Sequence, residues 1–185
     1  GSDGRTIEET LKLLTMPSEF YLQKAIKVYY EGNSSSNYKS NNSSLDKLPP
    51  WYSFNIASVG IDAFITHNTN KFHKILPGDC YKLFVNLACL FYSWIYPSAK
   101  MHIELFAEDG SKTKDIEGNA LFCLLGVSGK RTYGGGQKIL PDSRNFCFTQ
   151  NVSNIKKIFI KKKFLTGEHV NTKYAIMDNA TIIKL

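Results

Sequence analysis

Apolar positions in this chain recur mostly at intervals of two, with helical spacing in a few stretches. Thr6-Ile7-Glu8-Glu9 reads as a capping box, in which a Thr hydroxyl and a Glu carboxylate satisfy the first free amides of a helix. Ile7, Leu11 and Leu14 continue that helix as one stripe, and Met16 before Pro17 ends it. Phe20, Leu22, Ile26, Val28 and Tyr30 alternate and predict a strand. Residues 31–48 hold Gly32-Asn33-Ser34-Ser35-Ser36 and Asn41-Asn42-Ser43-Ser44. A segment so polar cannot offset its own ordering entropy, and a mobile linker is expected. Phe54, Ile56, Val59, Ile61, Ala63 and Ile65 predict a long strand with a bulge at Ser58, followed by a polar loop over residues 67–74. Asp79 then caps the longest predicted helix, residues 79–96, which is apolar on nearly every side and is ended by Pro97.

Downstream the spacing is that of strands. Met101, Ile103, Leu105 and Ala107 alternate with His102, Glu104 and Phe106, which predicts a strand half facing solvent. Asp109-Gly110 is a turn signal. Residues 120–127 read as a buried strand and residues 129–137 as a loop around Gly134-Gly135-Gly136. Phe146 and Phe148 mark a short strand, residues 155–165 a basic strand, and residues 174–185 one or two short final strands. This order predicts an α+β fold: an antiparallel β-sheet covered by one or two helices, with a mobile N-terminal arm. The expected division is an arm with a short helix and a flexible linker over residues 1–48, then an α+β domain over residues 49–185.

Length and composition agree with that picture. A chain of 185 residues, 43% of them hydrophobic, can bury one core of ordinary size. No apolar run reaches the length of a transmembrane helix. Gly1-Ser2 looks like a cloning remnant, so the native start is expected to differ. Cys80, Cys89, Cys123 and Cys147 lie among apolar neighbours without ligand spacing; they are expected to be reduced, structural and free of metal, as in a cytosolic folding compartment.

The formal charge of +7 asks for an acidic partner: nucleic acid, anionic lipid or an acidic protein. Its densest source is Lys156, Lys157, Lys161, Lys162 and Lys163 around Ile158-Phe159-Ile160. Read as a strand, the alternation puts Lys157, Lys161 and Lys163 on one face with Phe159 between their stems. Such a cluster fits an anionic membrane surface, a nucleoprotein–RNA surface, a nuclear-import address or a lysine-guarded sheet edge. Signals for catalysis are poor. Gly126-Val127-Ser128-Gly129-Lys130-Arg131 lacks the upstream glycine of a phosphate loop and has Arg131 where a magnesium-binding hydroxyl belongs. His67, His73, His102 and His169 are scattered, and Glu104 with Asp109 reads as surface charge, so no catalytic residue and no cofactor is expected.

Pro49-Pro50-Trp51-Tyr52 carries the Pro-Pro-x-Tyr signature of WW-domain ligands, in which Pro49, Pro50 and Tyr52 would fill the aromatic grooves. Placed between a polar linker and an aromatic-led strand, ahead of an apolar helix with Trp94 and Tyr96 and a Lys100-preceded strand, it gives residues 49–165 a pattern that resembles the matrix proteins of rhabdoviruses. The Lys-rich arm of that family is absent from residues 1–48. The resemblance implies a non-enzymatic protein that self-associates, binds membrane and the viral nucleoprotein–RNA, and supports budding with a host WW-domain ubiquitin ligase. It also implies residence in the virion beneath the envelope, and in the host cytoplasm or nucleus. Three other classes fit the same residues: a nucleic-acid-binding or movement-type protein, a capsid-like or carbohydrate-binding β-sandwich, and an enzyme with a spatially assembled Cys or His nucleophile.

Overall fold

A computed structural model describes residues 7–8, 12, 24–29, 49–72, 91–92, 96, 100–132 and 136–185. Strands β1 (Ile26–Val28) and β2 (Trp51–Ser53) pair antiparallel as a separate two-stranded sheet, with Lys27 opposite Tyr52. The main sheet holds β3 (Ile56–Gly60), β4 (Lys100–Phe106), β5 (Lys112–Gly126), β6 (Phe146–Gln150), β7 (Ala175–Asp178) and β8 (Ile182–Lys184). All its pairings are antiparallel, in the order β7-β6-β5-β4-β8, with β3 also on β5. Helices α1 (Ile61–Phe72) and α2 (Asn154–Thr166) complete an α+β fold. No helix among the described residues is long and apolar enough to cross a membrane.

β5 organises the sheet. Its first half pairs with β4, from Lys100 opposite Asn119 to Phe106 opposite Lys112. Its second half lies between β3 and β6. Because side chains alternate along a strand, β5 and β6 feed two separate cores. Phe122, Leu124 and Cys147 join Ile61, Ile65, Ile160 and Phe164 under the helices. Cys123, Phe146 and Phe148 join Ile103, Leu105 and Ile116 in the other core. The two free thiols therefore occupy different cores, which fits their expected reduced, structural role. Cys80 and Cys89 lie outside the described residues.

Several expectations hold. β4 buries Ile103 and Leu105, and the Asp109-Gly110 turn forms, with the Asp109 carboxylate accepting from the Ser111 amide at 2.9 Å. β6, β7 and β8 stand where short strands were expected. Other expectations are corrected. The run through Ile65 is not one strand, because Gly60 turns the backbone at φ 105° and β3 ends there. An added Cβ at Gly60 would lie 2.5 Å from the Leu121 carbonyl, so only glycine fits. Ile61 and Ile65, four apart, are both buried, which is helical spacing, and α1 runs on to Phe72 through most of the expected polar loop. The Ser58 bulge is absent: β3 keeps one register from Ile56 opposite Gly126 to Gly60 opposite Phe122. The register slips instead at Leu105/Phe106 and Ala120/Phe122. β5 begins at Lys112, well before the expected residue 120.

The largest correction is the basic strand, which is helix α2. Gly167, left-handed at φ 86°, closes it by donating its amide to the Lys163 carbonyl, the usual glycine stop. Lys157, Ile160 and Phe164 are the buried positions, at i, i+3 and i+7. The predicted alternation of Lys157 with Lys163 about Phe159 therefore does not occur. The capping box and the linker fall outside the described residues, apart from Ile7, Glu8 and Lys12, which are helical. Of the expected 79–96 helix only Phe91, Tyr92 and Tyr96 are described. Tyr92 and Tyr96 meet the Phe64 ring of α1 at 5.6 and 5.2 Å.

Candidate functional site: a lysine-rich helix face

Helix α2 has two unlike faces. The inner one packs Ile160 and Phe164 on the sheet, and Phe164 lies 5.3 Å from Phe122 and 4.1 Å from His169, both centroid to centroid. Lys157 belongs to this inner face: it is only 2% exposed, and its ammonium donates to Asn154 Oδ1 at 3.2 Å. Lys157 and Asp62 line one shallow apolar hollow between the helices, with Ile61, Ile65 and Leu121. Of the five lysines expected to bind together, Lys157 is thus in the interior.

The outer face gathers three of the others. Lys156, Lys162 and Lys163 are exposed, and none is ion-paired among the described residues. The placement of the Lys161 side chain lies outside what is described. Ile155 and Phe159, one turn apart, are 71% and 66% exposed between these lysines. Lys156 also reaches Tyr174, its nitrogen 5.8 Å from the ring centroid, while Lys173 lies 5.5 Å from the same centroid. The spacing of Lys residues marked this segment in the sequence. The roles of Ile155, Lys173 and Tyr174 were missed, since only the helix and the following turn bring them to one surface.

Pro49 and Pro50 are exposed, and Trp51 and Tyr52 are 72% and 59% exposed on β2. The Tyr52 ring is open to a partner, although its backbone is held in the β1–β2 pair. This site lies on a different sheet from the one α2 packs against.

Chemistry elsewhere is quieter. Burial pushes both the Cys123 and Cys147 thiols up to about 12, which holds them neutral and makes them weak nucleophiles. His169 is fully buried, with Nε2 3.0 Å from the Ile139 carbonyl oxygen; burial pulls its pKa below the ordinary histidine value. Its Nδ1 is buried without a hydrogen bond. A neutral ring donating through Nε2 suits both facts. Four amides of the Gly126-to-Arg131 loop, those of Gly126, Val127, Lys130 and Arg131, are spent inside the protein: Lys130 N–H donates to Asp142 O at 2.6 Å and Arg131 N–H to Leu140 O at 2.9 Å. Those amides are not free to cradle a phosphate. His102, Glu104 and Asp115 bring ligand atoms within 4.8 Å of one another on the solvent side of β4 and β5. The Lys112 ammonium already lies 2.6 Å from both carboxylates, so a cation is built into the cluster. That contact lowers the Asp115 pKa and raises that of Lys112.

No protein-family model matches the sequence, and no curated protein matches it as a relative.

Proposed function

We propose that this protein is a non-enzymatic, matrix-type structural protein that holds on to anionic assemblies through the outer face of α2 and associates with copies of itself. The observation that carries the reading is the set Lys156, Lys162 and Lys163: three exposed ammonium groups on one short helix with no internal carboxylate to neutralise them. Lysines meant only to keep a surface soluble are commonly interspersed with acids, whereas residues 154–166 contain no Asp or Glu at all. Near an anionic surface each lysine contributes about 1 kcal/mol, so three provide a useful but salt-sensitive grip. The two thiols held neutral and the Lys130 and Arg131 amides already spent support a binding role over a catalytic one.

Within this reading the acidic partners are a membrane surface and the nucleoprotein–RNA of a virus, and the protein works beneath an envelope and in the host cytoplasm. The exposed Tyr52 beside Pro49 and Pro50 supports recruitment of a WW-domain ubiquitin ligase. A nucleic-acid-binding role is the second reading, favoured by Tyr174 with Lys156 and Lys173 against its ring, an arrangement on which a base can stack. The test is binding of the full chain to anionic vesicles and to single-stranded RNA at rising salt. The proposal expects vesicle binding that weakens with salt. Absence of vesicle binding, or binding indifferent to salt, counts against the lysine grip.

A further inference from the structure

Building on the adhesive reading of α2, we infer that this face docks on an anionic lipid bilayer by insertion: Ile155 and Phe159 enter the headgroup–acyl boundary while the lysines hold lipid phosphates around them. Ile155 and Phe159 are four residues apart and stand next to each other on the side of α2 turned away from Ile160 and Phe164. With 71% and 66% of their surfaces in water, they are the two most exposed apolar side chains among the described residues of the helix, at positions where a purely solvated helix places polar residues. Lys162 and Lys163 follow Phe159 by three and four positions, so their ammonium groups flank the apolar pair at the spacing of one turn. Lysine stems are long enough to lie along apolar surface while the charge stays in the headgroup layer. At one end, Lys156 and Lys173 meet at Tyr174, whose ring has the apolar body and polar tip suited to that layer.

The choice of a bilayer over a polynucleotide rests on the apex of this face. An aliphatic Ile155 gives a base nothing to stack on, whereas both Ile155 and Phe159 gain from leaving water for acyl chains. The helix spans 13 residues, so it lies in the interface plane and does not cross. Charge complementarity selects the leaflet: the three unpaired lysines and Lys173 require anionic headgroups.

The test uses the full chain with phosphatidylcholine vesicles, with and without phosphatidylserine, and compares the wild type with Phe159→Ser and Phe159→Leu. Phe159 is exposed, so both variants should fold with unchanged circular dichroism. Wild type and Phe159→Leu are expected to bind phosphatidylserine vesicles and to keep part of that binding near 1 M salt, where the Debye length falls to about 3 Å. Phe159→Ser is expected to bind roughly tenfold more weakly and to lose the salt-resistant part. A Phe159→Trp variant should shift its emission to the blue and be quenched by brominated acyl chains. Equal binding by Phe159→Ser and wild type, or a Trp at 159 that stays unquenched on bound vesicles, overturns insertion and leaves the electrostatic grip standing. Binding to single-stranded RNA without binding to vesicles overturns insertion and favours the nucleic-acid reading. Binding to neither overturns both insertion and the adhesive function.

Discussion

Strand β6 and helix α2 are neighbours in sequence and both carry two Phe residues among other apolar side chains, yet they treat them in opposite ways. In β6, Phe146, Cys147 and Phe148 alternate between two cores and are all 2% exposed or less. In α2, Ile160 and Phe164 are buried while Ile155 and Phe159 stay in water. The difference lies in what covers each element. β6 has a paired strand on both edges and apolar clusters on both faces. α2 packs on the sheet with one stripe, and nothing among the described residues covers the other. Apolar residues on a surface covered twice give stability; on a surface covered once they remain available to a partner.

Substitutions should separate the two elements sharply. Phe146→Ala removes a fully buried ring and is expected to cost about 3–5 kcal/mol in urea unfolding, the largest effect of a single change considered for this fold. Gly60→Ala forces a side chain into φ 105° against the Leu121 backbone, at the point where strand becomes helix, and is expected to cost about 1–3 kcal/mol in the same measurement.

His169 sharpens the comparison from the inner side of α2. Burial lowers its folded-state pKa, so the unfolded chain binds the proton more readily. Its contribution is complete above the unfolded value near 6.5 and is lost as the pH falls through the folded value. Urea unfolding should show stability falling from pH 7 towards pH 5 with a slope of at most about 1.4 kcal/mol per pH unit from this residue, absent in His169→Gln. An equal slope in the variant would assign the effect to other groups. The smallest effect belongs to Phe159→Ser, whose unfolding free energy should match the wild type to within about 0.5 kcal/mol. A large loss there would mean that Phe159 is packed, and the contrast between β6 and the outer face of α2 would fail.

How much of this was readable from the residues depends on how ambiguous each spacing is. β4 alternates Met101, Ile103 and Leu105 with His102 and Glu104, a pattern no helix fits, and it forms as read. Ile61 and Ile65 are separated by four, an interval shared by a strand face and a helix face; the turn at Gly60 decides for helix. Ile158-Phe159-Ile160 between lysines has the composition of a strand, and Gly167 as a helix stop was the signal for the other reading. Apart from the buried Ile116, the first half of β5 is polar and mostly exposed, so its place in the sheet comes chiefly from pairing with β4 and not from its own pattern. For the site, residue type singled out the lysines as a group, but which of them face outward follows only from the helical period. Lys156 and Lys157 are adjacent in sequence, and one is on the surface while the other is in the interior.

The most direct measurement of the central claim is co-sedimentation of the full chain with phosphatidylserine-containing vesicles, comparing the wild type with Lys156→Glu/Lys162→Glu/Lys163→Glu at low salt. The account predicts that the wild type pellets with the vesicles and that the triple variant, folded as judged by its unfolding midpoint, stays in the supernatant. A triple variant that pellets as fully as the wild type would contradict it.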